Sequence, residues 1–165
     1  MGTKILIGID PGLSGAIAVL KDDSVEVWDI PTLIVAGAAG TTRREYQVSE
    51  MAAILRPYVA HGASVMAGLE SVHSMPGQGV RSMFSMGRGL GIWEGLLGAF
   101  AIPYTKIIPQ EWKRAMLSGM GHDKESSRVR AQQLFPALTE KFSRKRDDGR
   151  AEAALIASYV GIKFR

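Results

Sequence analysis

Three short apolar runs near the start of the chain constrain its fold more than any other feature of the sequence. Residues 5–9, 16–20 and 25–30 are rich in aliphatic and β-branched side chains, and each run is too short for a helix. The connections between them, residues 10–15 and 21–24, consist largely of Gly, Pro, Ser and Asp, which are typical of tight turns. Because tight turns join antiparallel neighbours, the pattern predicts a three-stranded antiparallel meander.

Helices and two further strands follow the meander. Residues 31–46 show no clear period and are rich in Gly, Ala and Thr, so we expect a loop there. Beyond it, hydrophobic periodicity predicts strands over 63–69 and 104–108 and helices over 47–59, 80–100, 109–116, 124–135 and 148–161. Strands that alternate with helices usually lie parallel. We therefore expect one α/β domain over residues 1–165, in which helices cover both faces of a mixed five-stranded sheet.

Composition excludes several classes of protein. The 165 residues include no cysteine, which rules out disulfide scaffolds, cysteine zinc sites and thiol nucleophiles and fits a reducing compartment. No uncharged run reaches the roughly 18 residues of a membrane span, and the first residues do not resemble a secretion signal. We expect a cytoplasmic protein that does not associate with membranes.

Charge is distributed unevenly along the chain, whose net charge is +4. Residues 1–110 hold 8 basic and 9 acidic side chains, whereas residues 111–165 hold 12 basic and 7 acidic ones. A basic region on a neutral body suits a nucleic-acid partner, since Lys and Arg contacts to phosphate supply most nonspecific affinity. Solvated charged helices explain the same distribution equally well.

Two carboxylates stand where predicted strands end. Asp10 follows the run 5–9, and Glu70 follows the run 63–69. A carboxylate at the end of a buried strand is costly unless it is paired, hydrogen-bonded or bound to a cation. On adjacent strands the two side chains would converge on one point. Asp10 alone is also explained by an Asp-Pro-Gly turn, an alternative that does not extend to Glu70.

The last predicted helix adds two more carboxylates. Asp148 and Glu152 are four residues apart and share one helix face, from which Asp147 points away. Helix capping would explain an acidic residue at the helix start, but not Glu152 among small apolar residues. Carboxylates without cysteine or clustered histidine suit Mg²⁺, for which Mn²⁺ can substitute. Because paired ions in such sites promote phosphodiester hydrolysis, we expect two ions per site and a nuclease.

The same residues resemble a known family, the RuvC-type Holliday junction resolvases of the RNase H-like superfamily. The resemblance rests on the opening IGIDPG at residues 7–12, on the strand-ending Glu70 and on DGRAEAALIA at residues 148–157. Its final acidic pair is similar to that of a subgroup with chloroplast, phage and bacterial members, whereas classical bacterial enzymes have two aspartates three residues apart. The resemblance implies an RNase H-like fold and symmetric, metal-dependent cleavage of four-way DNA junctions by a homodimer. It also implies that Asp10, Glu70, Asp148 and Glu152 form the catalytic, metal-binding set, and it identifies no motor or branch-migration partner.

DNA contacts are implied by the resemblance as well. Lys113 and Lys124 match positions where the family has DNA-binding lysines, although plain exposed helix lysines are the simpler alternative. His73 stands where classical members carry an aromatic residue near the junction centre, and we favour a DNA contact or an ordinary loop histidine over a general base. Gln78 lies in a loop that touches bases in the chloroplast-like subgroup, so it is the candidate for sequence preference. The other expected DNA contacts are Arg81, Arg128, Arg130, Lys141, Arg144, Lys145 and Arg146.

The predicted helix over 80–100 contains five glycines. Each costs about 1 kcal/mol relative to alanine inside a helix, so we expect a sheet, another subunit or a DNA strand to pack closely against the helix. Its segment 84–91 is similar to the dimer-forming helix of the resolvases. The expected dimer contacts are Phe84, Gly87 and Gly91.

Three other functions are compatible with parts of the sequence. Another RNase H-like nuclease would act on RNA or on RNA–DNA hybrids. A noncatalytic junction-binding protein would have little use for four carboxylates that repel DNA. An actin-like or sugar-kinase ATPase begins similarly but needs a second, duplicated domain, for which 165 residues leave no room.

Overall fold

The computed structural model describes residues 3–22, 24–59, 64–73, 77 and 79–164. Its strands are, in chain order, β1 (Lys4–Asp10), β2 (Ala16–Lys21), β3 (Ser24–Asp29), β4 (Thr32–Ala36), β5 (Thr42–Tyr46), β6 (Ser64–Glu70) and β7 (Tyr104–Ile107). Its α-helices are α1 (Val48–Leu55), α2 (Val80–Ala99), α3 (Pro109–Met116), α4 (Lys124–Leu134) and α5 (Asp148–Lys163). Short 3₁₀ segments lie at Arg56–Tyr58, Pro136–Phe142 and Lys145–Asp147.

A mixed five-stranded sheet forms the centre, with the strand order β3-β2-β1-β6-β7. The predicted meander is confirmed, because β1 pairs antiparallel with β2 and β2 pairs antiparallel with β3. The predicted parallel arrangement is also confirmed, because β6 runs parallel to β1 and β7 runs parallel to β6. The carboxyl ends of these three parallel strands therefore meet at one edge of the sheet.

The expectation of a loop over 31–46 is wrong, because β4 and β5 form a two-stranded antiparallel hairpin there. Ala39 and Gly40, with φ of 53° and 74°, turn the chain between the two strands. Because the hairpin exposes most of both faces to solvent, including Ile34 at 73 %, no alternation of buried and exposed residues marks it in the sequence. It lies beside the main sheet rather than within it.

The predicted helix over 47–59 is too long. Regular α-helix ends at Leu55, and the chain continues as a 3₁₀ turn over Arg56–Tyr58. Pro57 explains the change, since it lacks the amide hydrogen that an α-helix interior requires. The other predicted helices agree with the structure to within two residues.

Side-chain alternation along β1 divides the core into two layers. Ile5, Ile7 and Ile9 are buried on the face that packs against α1 and α2. The intervening positions face α5, which lies so close that a Cβ on Gly8 would come within 2.1 Å of the Ala153 carbonyl oxygen. Helices thus cover both faces of the sheet, and α5 lies directly against the strand that ends in Asp10.

In the part of the chain that the structure describes, no helix combines the length and apolar character needed to cross a membrane.

Candidate metal centre and nucleic-acid interface

Asp10 and Glu70 occupy neighbouring positions at the carboxyl edge of the sheet. Each is the last residue of its strand, and the parallel register that pairs Ile9 with Leu69 continues to them. Oδ1 of Asp10 accepts a hydrogen bond of 3.3 Å from the Gly12 amide. The tight turn after β1 thus orients one carboxylate beside the other, as the sequence predicts.

The pKa values of both groups are raised. Burial raises the pKa of Asp10 to about 7, and the negative charges of Glu70 and Glu152 add to the effect. Burial also raises the pKa of Glu70, again with a contribution from Glu152, whereas a hydrogen bond from Trp112 lowers it. Three carboxylates from two strands and one helix therefore lie close enough to repel one another.

Glu152 is held in place by the close packing of α5 on the sheet. Only 7 % of it is exposed, and its Oε1 is a buried oxygen that accepts no hydrogen bond. The Lys113 ammonium lies 3.1 Å from this oxygen, in ion-pair contact. The ammonium thus offsets the charge of this buried oxygen, and a metal ion bound there would share the oxygen with Lys113 or displace it.

Asp148 begins α5, one turn before Glu152, and is paired with cations from α4. Its Oδ1 contacts the Arg128 guanidinium, and its Oδ2 lies 3.6 Å from the Lys124 ammonium. The lysine also lowers the pKa of Asp10 by its charge. Arg128 and Lys124 therefore lie beside the carboxylates of Asp10, Glu70, Asp148 and Glu152, which we call the acidic cluster, and not on a remote solvated face.

Asp147 has a different environment from its neighbour. It is buried and accepts hydrogen bonds from the backbone and the guanidinium of Arg144, at 2.9–3.1 Å. Burial favours its neutral form, but the contacts with Arg144 outweigh burial and hold its pKa below the usual range. This pairing stabilises the start of α5 and supports Asp148 over Asp147 as the ligand candidate.

The donor chemistry of the cluster fits a divalent cation. All four side chains offer carboxylate oxygens, and one of these, Oε1 of Glu152, is buried with only the Lys113 ammonium in contact. Among the residues that the structure describes, however, no three acidic or histidine side chains lie close enough together to hold one ion. The carboxylates thus lie close enough for their charges to interact, but they are too far apart to coordinate one ion together.

A groove of about 510 Å³ begins at Asp148 and runs along the turn after β1. Its basic lining residues come from three parts of the chain: Arg44, Lys124, Arg144, Lys145, Arg146 and Arg150. Asp29 and Asp147 also line it, but Arg150 and Arg144 pair with them. The groove is therefore a basic surface that leads directly to the acidic cluster.

The other predicted DNA contacts are more scattered. His73, three residues beyond Glu70, and Arg81, in the first turn of α2, are both exposed. Gln78 lies outside the described residues. Two residues at the site were not predicted from the sequence: Arg44, which lay in an expected loop, and Trp112, which stands between Glu111 and Lys113 with no local sign of its contact with Glu70.

Helix α2 leaves one face open to solvent. Phe84 is 73 % exposed, and a Cβ on Gly87 or Gly91 would meet no other atom within 4 Å. At Gly89, in contrast, a Cβ would come within 2.3 Å of the Tyr46 hydroxyl and 2.5 Å of the Pro11 carbonyl oxygen. Packing within the chain thus explains Gly89 and leaves the glycines at 87 and 91 without a contact.

Solved structures share this architecture. The T. thermophilus RuvC in complex with a Holliday junction substrate matches with a TM-score of 0.56 and 12 % identity, over 93 % of this chain and 90 % of that one. A second Thermus thermophilus RuvC structure matches with a TM-score of 0.56 and 16 % identity, over 97 % and 96 % of the two chains. No family model and no curated protein matches the chain. At these identities the likeness establishes the fold: the mixed sheet with helices on both faces is RNase H-like, as the sequence predicts.

Proposed function

We propose that this chain is a metal-dependent endodeoxyribonuclease that resolves four-way DNA junctions as a homodimer. The observation that carries the proposal is the charge interaction among Asp10, Glu70 and Glu152 at the carboxyl edge of an RNase H-like sheet, one helical turn from Asp148, which also lines the basic groove. A structure with the same fold holds a Holliday junction substrate, which supports a junction as the substrate class. The four-residue spacing of Asp148 and Glu152 supports membership of the chloroplast- and phage-like subgroup.

Asp10, Glu70, Asp148 and Glu152 would hold the metal, with Mg²⁺ as the ion, Mn²⁺ as its substitute and two ions per site. When bound, the ions activate water and stabilise the leaving oxygen of the phosphodiester. Hydrogen bonds orient two of these carboxylates and oppose the rise in pKa that burial causes. Trp112 donates the hydrogen bond to Glu70, and the Gly12 amide, in the turn after β1, donates the one to Asp10.

Lys113 and Arg128 would bind the phosphate that is cleaved. Both cations already lie at the acidic cluster, in contact with Glu152 and Asp148 respectively. The Lys113 ammonium also lies 5.2 Å from the centroid of the Trp112 ring, a cation–π contact that limits where it can move. Charged donors held beside the reacting phosphate stabilise the negative charge that develops on its oxygens.

Homodimerisation follows from the symmetry of the substrate. Two strands of a junction must be cut at equivalent places, and a C2 dimer presents two equivalent sites. The exposed Phe84 and the open space around Gly87 and Gly91 support α2 as the dimer contact.

The test is Mg²⁺-dependent cleavage of a four-way DNA junction, compared with a linear duplex and an RNA–DNA hybrid of the same sequence. We expect paired, symmetric nicks in the junction alone. Glu152→Gln should abolish cleavage and retain junction binding, whereas Glu50→Gln, an exposed acid on α1, should cleave normally. Preferential cleavage of the hybrid would instead indicate another RNase H-like nuclease. Tight junction binding without metal-dependent cleavage would indicate a noncatalytic protein.

A further inference from the structure

The hairpin formed by β4 and β5 supplies one wall of the basic groove. Arg44, on β5, lines the groove together with Ser14 and Gly15 from the turn after β1. The segment before α5 also lines the groove, through Lys145 and Arg146. Residues more than one hundred positions apart in the sequence thus face the same channel.

Arg44 is held in this wall by hydroxyl groups. Its Nε and Nη2 donate hydrogen bonds of 3.2 and 2.9 Å to Oγ1 of Thr32, and its Nη1 donates one of 3.3 Å to Oγ of Ser14. A guanidinium has five N–H donors in a planar fork. Two of them remain after these contacts, on a group whose orientation is already set.

The charge of Arg44 is not neutralised by the protein. Among the described residues, no carboxylate lies within ion-pair distance of Arg44, Lys145 or Arg146, although ion pairs are recorded for many other basic side chains. The neighbouring Arg43 differs, because its Nε lies 2.9 Å from Oε1 of Glu45, whose other oxygen binds Arg88. Successive residues of a strand point to opposite faces, so Arg43 and Arg44 differ both in direction and in whether a carboxylate pairs with them.

We propose that Arg44 is a phosphate-binding residue that holds the backbone of a DNA strand in this groove, beside the strand that enters the acidic cluster. The inference rests on the proposed function, since it assumes that the chain acts on DNA. The guanidinium and the Lys145 and Arg146 side chains of the same groove, none of which has a carboxylate within ion-pair distance among the described residues, match a phosphodiester backbone, which carries one negative charge per nucleotide. Arg presents its donors to phosphate in pairs. The contact fixes the position and direction of the strand and reads no sequence.

The experiment measures binding to a labelled four-way junction in EDTA, as a function of salt concentration, for the full chain and its variants. Arg44→Gln should weaken binding about tenfold and reduce the slope of log affinity against log salt by about one, because one phosphate contact is lost. Arg44→Lys should keep the slope, since it keeps the charge, and should lose part of the affinity. Arg43→Gln is the matched control and should resemble the natural chain. Thermal melting checks that each variant is folded, and Arg44→Lys keeps the test valid should Arg44→Gln not fold.

The possible results distinguish a failure of this inference from a failure of the proposed function on which it rests. Equal affinities and salt slopes for Arg44→Gln and Arg43→Gln would overturn the role of Arg44, while cleavage of junctions by the natural chain in Mg²⁺ would leave the proposed function standing. An unchanged salt slope for a folded Arg44→Gln would also overturn it. Failure of the natural chain to bind or cleave any junction would overturn the proposed function itself.

Discussion

The indole Nε1–H of Trp112 donates a hydrogen bond of 2.9 Å to Oε1 of Glu70, and both side chains are buried. The bond joins α3 to the end of β6. It lowers the pKa of Glu70 against the opposing effect of burial and so favours the charged form that a metal needs. Trp112 is thus a positioning residue for the acidic cluster.

Trp112→Phe should therefore weaken metal binding. A hydrogen bond to a charged group contributes about 1.5–3 kcal/mol, so the Mg²⁺ concentration for half-maximal junction cleavage should rise about tenfold, with a smaller change at saturating Mg²⁺. Trp93→Phe is the matched control, because the buried Nε1 of Trp93 has no hydrogen-bond partner. Equal Mg²⁺ dependence in the two variants would show that Trp112 serves only the core.

Arg128→Met should separate metal binding from DNA binding. The Arg128 guanidinium is paired with Asp148, so its loss should let Mg²⁺ bind several-fold more tightly in calorimetry while junction affinity falls. Arg130→Met, on the same helix, is the control for metal binding, since Arg130 donates to the Met116 carbonyl and not to a carboxylate of the cluster. Unchanged Mg²⁺ affinity in Arg128→Met would contradict competition between the guanidinium and the ion.

Metal binding should release protons near neutral pH. The pKa of Asp10 is raised to about 7 by burial and by Glu70 and Glu152, with an opposing contribution from Lys124. Mg²⁺ binds the carboxylate form, so its affinity should fall as pH decreases through about 7 and proton release should vanish well above that pH. Calorimetry at pH 6.5 in two buffers of different ionisation enthalpy measures the release. Asp10→Asn should abolish it.

The acidic cluster should also lower the stability of the metal-free protein. A carboxyl group whose folded pKa exceeds its unfolded value binds more protons when folded, so stability falls as pH rises from about 4 to about 7. Asp10→Asn should therefore raise the free energy of unfolding at pH 8, by about 1 kcal/mol or more, and give little gain at pH 4. Urea unfolding in EDTA at the two pH values is the measurement. An equal gain in the free energy of unfolding at both pH values would show that the effect does not come from the charge of Asp10.

Phe84→Asp should disrupt the proposed dimer. A charge on the open face of α2 opposes apolar association, so sedimentation should show a monomer, and paired nicking of a junction should be lost. Val129→Asp places the same charge at an exposed apolar position of α4 and should leave the oligomeric state unchanged. A monomeric natural chain would exclude this interface altogether.

Hydrophobic periodicity predicts most of the fold because its elements bury one face. Ile5, Ile7 and Ile9 alternate with residues that face α5, and this alternation marks β1. The hairpin of β4 and β5 escapes prediction because it buries almost nothing, and Ile34 lies open to solvent. The hairpin depends on backbone pairing between β4 and β5 and on the turn at Ala39 and Gly40. Neither feature produces a periodic pattern of hydrophobic residues.

The sequence singles out the acidic residues of the candidate site but not the side chains that contact them. Asp10 and Glu70 end apolar runs, and Glu152 interrupts one, so each is a charged residue next to apolar sequence neighbours. Trp112 stands between two charged residues of a short helix, and nothing in the local sequence shows that its indole reaches a carboxylate 42 positions away. The contacts of Arg128 with Asp148 and of Lys113 with Glu152 likewise arise from helix packing that single-sequence patterns do not determine.

Tyr46 links two parts of the molecule that the sequence keeps apart. Its buried hydroxyl lies 3.3 Å from the carbonyl oxygens of both Pro11 and Ser85, and its ring occupies the space that a side chain at residue 89 would need. One phenol thus braces the peptide beside Asp10 against the helix that carries Phe84. We therefore expect a displacement of α2, for example on contact with a partner at its outer surface, to move the backbone next to the carboxylates as well.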